Sequence, residues 1–243
     1  MKILTFTRSF ANAYLFQTQA GWLLVDSGYP GGEKAFWKFV RKSGLCPTDI
    51  RGVLVTHTHA DHVGFLKDVL DQSGATLYCA SGHLPTLKRG LADYKGIQAT
   101  SALMRCVLPV STHGGGTNNA FPPLDEGQLS RAVSVDTQEG KAALYARFGV
   151  EAIPTSGHTA HCVSYRMGDA VFAGDVAMHI PATPRLIPFI VTDHPSHVES
   201  WEKLSALDCT LYLGHGAPIE SRELGKRLPY LRKVKLRPIP KWR

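Results

Sequence analysis

The stretch LVTHTHADHVG, residues 54–64, puts three histidines and an aspartate into six consecutive positions directly after an apolar run. An extended segment points alternate side chains to one face. His57 and His59, two apart, therefore reach one ion if the strand continues that far. Asp61 and His62 follow where the chain turns into a helix expected to begin near Val63, so they point differently, and a second ion is the natural consequence. Imidazole nitrogen and carboxylate oxygen suit zinc, and also iron or manganese, so the ligand types leave the metal open. The competing reading of the same residues is a polar turn that caps a strand and a helix.

Three further stretches supply candidates. TSGHTAHCVSY (155–165) holds His158 in a loop before a strand, VFAGDVAMH (171–179) puts Asp175 at the end of an apolar strand, and LYLGHGAPI (211–219) does the same for His215. A strand running out into a loop holds a polar side chain on a rigid element while the apolar residues behind it anchor the core.

Around these motifs the periodicity predicts strands at 3–7, 13–17, 22–25, 52–56 and 75–79, with helices at 33–42 and around Phe65, Leu66, Val69 and Leu70. Strands are expected again at 142–148, 151–154, 163–167, 170–173 and 210–213, with a helix at 196–206. This alternation is that of sheets covered by helices. Between them, 84–127 carries helical spacing at 84–91 and 97–108, then the glycine- and proline-rich STHGGGTNNAFPPLDEG. It reads as an inserted, lid-like segment. His113 lies beside its three glycines, and Leu103, Met104, Val107 and Leu108 read as ordinary packing.

The motifs NAYLF (12–16), LLVDSG (23–28), THTHADHVG (56–64), GHTAHCVSY (157–165), FAGD (172–175) and GHG (214–216) resemble, in family order, those of the metallo-β-lactamase superfamily of metal-dependent hydrolases. The resemblance implies an α/β fold (α+β in some schemes). Its form is an αββα sandwich of two mixed β-sheets flanked by helices, with a dinuclear metal site at one edge. It implies His57, His59 and His158 on one metal, Asp61, His62 and His215 on the other, and Asp175 bridging them. Two divalent ions follow, zinc first, with manganese or iron as alternatives. A hydroxide generated between the two cations would attack a carbonyl or a phosphorus. Asp61 would orient the nucleophile and pass on its proton. Asp26, in LLVDSG, resembles the outer carboxylate that holds a metal-bound histidine; an aspartate closing a turn is the equal alternative. His179 matches a place where some relatives contact the substrate oxygen, against the alternative of a satisfied histidine. The chain departs from the family where Gly-His-Thr-Pro-Gly becomes Gly157-His158-Thr159-Ala160-His161. That loss leaves the local turn to be explained, with His161 expected to be exposed or structural and Cys162 a small buried hydrophobe.

With 243 residues and 44% apolar content, the chain is long enough for one sizeable domain, expected at 1–221. The net charge of +7 is uneven: residues 222–243 hold nine lysines or arginines against one glutamate, a net +8, and the remainder is close to neutral. Pro229, Pro238 and Pro240 argue for a loosely packed, solvated basic extension. No apolar run approaches a membrane span, and five cysteines without Cys-x-x-Cys suit thiols in a reducing compartment, so a cytoplasmic protein is expected. The expected function is hydrolysis of a small ester, lactone or thioester, with a small molecule as substrate. The alternatives are RNA or phosphodiester processing, which rests on the basic tail alone, and β-lactamase-type amide hydrolysis. A non-hydrolytic redox role would need an electron-carrier segment, and none is recognisable.

Overall fold

The computed structural model describes residues 1–102, 105, 119–183 and 185–239. In chain order its elements are β1 (Ile3–Arg8), β2 (Ala11–Thr18), β3 (Gly21–Val25), α1 (Glu33–Lys42), β4 (Ile50–Leu54), α2 (Ala60–Val63), α3 (Leu66–Ser73), β5 (Thr76–Cys79), α4 (Leu84–Arg89) and β6 (Gln98–Ala99). There follow α5 (Glu126–Ser130), β7 (Val133–Ser134), α6 (Gln138–Phe148), β8 (Glu151–Pro154), β9 (Val163–Met167), β10 (Ala170–His179), β11 (Ile190–Val191), α7 (His194–Ser205), β12 (Thr210–Gly216), β13 (Ile219–Glu220), α8 (Arg222–Leu231) and β14 (Arg237–Pro238). They divide into two compact units, residues 1–93 with 120–152, and residues 94–119 with 153–243.

The first unit is built on a mixed sheet. β1, β2 and β3 form an antiparallel meander, after which β4, β5 and β7 add in parallel. Parallel addition requires crossovers, supplied here by α1 and by the α2–α3 segment. α1 forms where aromatic residues recur on one helical face. Phe36, Trp37 and Val40 are buried, and the Phe36 ring sits 5.5 Å from Phe6 and 5.3 Å from Phe65. The segment after α2 passes so close to the 28–30 turn that a Cβ on Gly64 would lie 2.1 Å from the Pro30 backbone nitrogen. Only glycine fits that approach.

The second unit also has a mixed sheet: β12 runs parallel to β10, while β9 and β13 flank them antiparallel. A separate small sheet pairs β6 with β11 on one side and β14 on the other. α7 is anchored by Trp201, fully buried, whose Nε1 donates to the Val176 carbonyl at 2.7 Å.

Several expectations change. Residues 142–148 form the end of helix α6, not a strand. Thr137 caps it by accepting from Gly140 N, Gly149 ends it in the left-handed region, and the intervening Glu, Lys, Ala, Leu and Arg are good helix formers. β4 stops at Leu54, so His57 and His59 lie past the strand, and the next helix starts at Ala60, taking in Asp61 and His62. Residues 98–99 are strand rather than helix, because both edges of β6 find partners. β10 and β12 run on to His179 and Gly216, so Asp175 and His215 lie within strands. His113, Leu103, Met104, Val107 and Leu108 fall outside the described residues.

The start of the basic tail is also not loose. α8 spans Arg222–Leu231 with Pro229 inside it, and Leu224 and Leu231 are fully buried in a core with Trp201, Leu204 and Leu211. Leu224→Ala and Leu231→Ala are each expected to cost about 2–5 kcal/mol of unfolding free energy by the cavity they leave. Urea denaturation checks this, and a cost near zero for both would restore the loosely packed tail.

Candidate metal centre

In the first unit the site residues gather where β3 and β4 run out. Asp26 follows β3 in a left-handed conformation, φ 56°, which aspartate tolerates better than most residues. Its backbone nitrogen donates to the Leu54 carbonyl at 3.0 Å. Its carboxylate is buried and receives three donors: Thr56 N at 2.8 Å, Thr56 Oγ1 at 2.7 Å and His62 Nδ1 at 3.0 Å. A carboxylate only accepts, so the His62 proton sits on Nδ1 and Nε2 presents its lone pair. Asp26 thus holds the His62 ring in place as well as joining the end of β3 to Thr56. The carboxylate of Asp61, about one-fifth exposed, lies 3.7 Å from that Nε2.

His57, His59 and His62 are all buried. The His57 ring centroid is 4.7 Å from that of His59 and 4.2 Å from that of His62, and His57 Nε2 approaches His59 Nδ1 to 3.2 Å. Packing three imidazoles together away from water is costly as a purely structural device, whereas nitrogen lone pairs at this density are what a divalent cation binds.

In the second unit His158 lies in the loop after β8. Its Nδ1 donates to the Ile190 carbonyl at 2.9 Å, which puts the lone pair on Nε2. Nε2 lies 3.5 Å from Asp175 Oδ2, and His215 Nε2 lies 3.2 Å from the same oxygen. Two imidazole nitrogens thus face one buried carboxylate oxygen. The donor set fits a hard-to-borderline divalent cation and leaves zinc, manganese and iron undistinguished.

The turn that lacks the family's Pro and Gly is held by side chains instead. Thr159 Oγ1 meets Cys162 Sγ at 3.0 Å, Thr159 N donates to the same sulfur at 3.3 Å, and Ser156 Oγ donates to Ala160 O at 2.9 Å. Cys162 is buried and His161 exposed, as expected from the sequence. His179 is exposed at the end of β10, with Nδ1 donating to the Ala217 carbonyl at 3.2 Å.

Sequence reasoning missed His197. It lies in α7, completely buried, with neither ring nitrogen hydrogen-bonded. Gly157, at φ 132°, packs directly on it: a Cβ there would lie 2.4 Å from His197 Cα. The Gly157 carbonyl accepts from Thr192 N at 2.8 Å and Asp193 N at 3.0 Å, which ties the His158 loop to the start of α7. Spacing offers no signal for this, since His197 sits on the buried face of an ordinary amphipathic helix.

Burial first, then the neighbouring His158 and His194, lower the His197 pKa from 6.5 to about 3. An unfolded chain therefore takes up a proton below about pH 6.5 that the folded chain refuses. This contribution to stability is complete above that pH and is lost progressively as pH falls toward 3. His197→Leu is expected to flatten the fall of unfolding free energy over that window, and an unchanged slope would contradict it. Asp26→Asn is expected to weaken metal binding by about 10- to 100-fold, measured by chelator competition, and an unchanged affinity would remove Asp26 from its orienting role.

A family model described as the metallo-beta-lactamase superfamily matches residues 6–215. The probable metallo-hydrolase YqgX of Bacillus subtilis (strain 168) is 28% identical over 170 residues, which cover 68% of this chain and 65% of that protein, just under two thirds of its length. Among solved structures, a metallo-β-lactamase with a HARLDQ motif from Cronobacter sakazakii is 19% identical with a TM-score of 0.64, covering 95% of this chain and 88% of that one. BJP-1, a subclass B3 metallo-β-lactamase of Bradyrhizobium japonicum, is 20% identical with a TM-score of 0.62 and the same coverages. The archaeal superfamily protein ST1585 from Sulfolobus tokodaii is 15% identical with a TM-score of 0.60, covering 94% and 85%. At these identities the solved structures speak for the fold alone. The match through residues 6–215 makes the chain a member of the metallo-β-lactamase superfamily.

Proposed function

We propose that the protein is a dinuclear metal-dependent hydrolase of a small ester, lactone or thioester. The observation that carries the reading is the buried Asp175 Oδ2 faced by His158 Nε2 at 3.5 Å and His215 Nε2 at 3.2 Å. A carboxylate so placed suits a bridging ligand. Family membership supports adding His57 and His59 to His158 around one ion, and Asp61 and His62 to His215 around the other. Bound there, two divalent cations would supply a nucleophile from water near neutral pH and polarise a carbonyl oxygen.

The protein's own groups do the rest. Asp26 and the Ile190 carbonyl hold the His62 and His158 rings so that each offers Nε2 without reorganisation. Asp61 would accept a proton from the nucleophile and return it to the leaving group, a role that its partial exposure beside His62 supports. His179, exposed, would meet substrate through Nε2, because its Nδ1 is engaged by Ala217. Part of the tail charge on which the phosphodiester reading rests is already neutralised: Lys226 and Arg227 pair with Glu223, and Arg232 pairs with Glu202. The β-lactam reading keeps a place through the names of the structural relatives, so a β-lactam belongs in the substrate panel.

Purified protein supplied with zinc or manganese is expected to hydrolyse members of a panel of lactones, esters and thioesters faster than a β-lactam or a phosphodiester. Inactivity across the first three classes would overturn the substrate class. Asp175→Ala is expected to lose bound metal, by elemental analysis, and activity together while cooperative unfolding persists; a variant retaining metal and turnover would overturn the ligand assignment.

A further inference from the structure

The second unit contains a cavity of about 660 Å³ with none of the proposed metal ligands in its lining. Arg185, Lys233, Lys235 and Arg237 line it together with Tyr230 and Phe189, and no acidic residue is among its described lining residues. The small three-stranded sheet brings these segments together. Thr100 and Ser101 follow β6, Phe189 precedes β11, and Arg237 lies in β14. α8 delivers Tyr230 from its last turn, and the chain beyond it carries Lys233 and Lys235 past the same opening.

The charge here is selective. Within the described part of the basic tail, Lys226, Arg227 and Arg232 have carboxylate partners. Lys233, Lys235 and Arg237 make no ion pair with a described residue and all three line the cavity, whereas Arg222, at the start of α8, is likewise outside any such pair and does not line it. Four cations around one concavity repel one another until an anion neutralises them. The Arg185 guanidinium lies over the Tyr230 ring, 4.5 Å from its centroid. That contact engages the π face of the ring, and a guanidinium so held brings several N–H donors suited to a phosphate or carboxylate. The volume falls within the range of small-molecule sites, roughly 300–1000 Å³, and far exceeds what one phosphate fills. Phe189, Ile187 and Val234 add apolar wall.

The geometry points to a binding site for an organic phosphate of nucleoside diphosphate size, with its phosphates on Lys233, Lys235, Arg237 and Arg185 and its aromatic part against Tyr230 and Phe189. Convergence of Lys233, Lys235, Arg237 and Arg185 on one cavity, with Lys226, Arg227 and Arg232 paired to carboxylates, favours a small ligand over a nucleic-acid track, which needs cations spread along a groove. The site is independent of the proposed hydrolytic reaction.

Isothermal titration calorimetry on the full chain, with ADP as probe and inorganic pyrophosphate and single-stranded RNA as comparison arms, tests this. ADP is expected to bind at one site, more tightly than pyrophosphate and more weakly as salt rises. Lys233→Ala and Arg237→Ala, both at exposed positions, are each expected to weaken it by about tenfold or more. Tyr230→Ala should weaken ADP and leave pyrophosphate unchanged. Absence of ADP binding overturns the proposal, as does binding indifferent to Lys233→Ala and Arg237→Ala, which would place ADP elsewhere, at the metals for example. Pyrophosphate binding as tightly as ADP overturns the aromatic subsite, and RNA binding tighter than ADP and lost in the same variants turns the cavity into a nucleic-acid surface.

Discussion

The Asp26 carboxylate is the constraint from which the first half of the site is built. Buried at the end of β3, it must find donors, and it finds them in both polar hydrogens of Thr56 and in His62 Nδ1. Satisfying that carboxylate fixes how the chain leaves β4, brings the α2 turn back over β3, and settles the tautomer of His62. The glycine at position 64 is the steric consequence, since the backbone must pass within contact of the 28–30 turn.

The second half uses a carbonyl and a helix for the same purpose. His158 is oriented by the Ile190 carbonyl, and its loop is tied through Gly157 to the first residues of α7. α7 is in turn pinned to β10, the strand that carries Asp175, by Trp201 bonded to the Val176 carbonyl. His197, neutral because it is buried, fills the space beneath Gly157 without bringing a charge near His158. His62, through the Asp26 carboxylate, and His158, through the Ile190 carbonyl, thus have their proton held on Nδ1, so that Nε2 carries the lone pair.

Local pattern carried much of the fold. α1, β8 and β9 fall at the boundaries read from the sequence, and for α1 the reason is a buried face, Phe36, Trp37 and Val40, that repeats within the segment itself. Elements whose identity depends on distant partners were read less well. Residues 142–148 alternate enough to suggest a strand, yet Thr137 and Gly149 cap them as a helix. β10 reads as four residues but runs for ten, because β12 pairs along its length past two register shifts. The proline-containing tail looked solvated, and Leu224 and Leu231 tie its first part, α8, into the core.

The candidate ligand types were legible in the sequence, because side-chain chemistry is read residue by residue, whereas their places relative to the strands were not, since Asp175 and His215 lie within strands that run beyond the apolar pattern. The orientation of those ligands was decided only by tertiary structure. The partner that sets His62 is 36 residues away, and the one that sets His158 is 32 away. The same holds for the basic tail: composition gives its charge, but only the packing of α8 and the pairing of β14 with β6 separate cations neutralised by carboxylates from those gathered around a cavity. Hydrogen-bond direction and charge neutralisation are properties of groups in space, and one-dimensional spacing does not encode them.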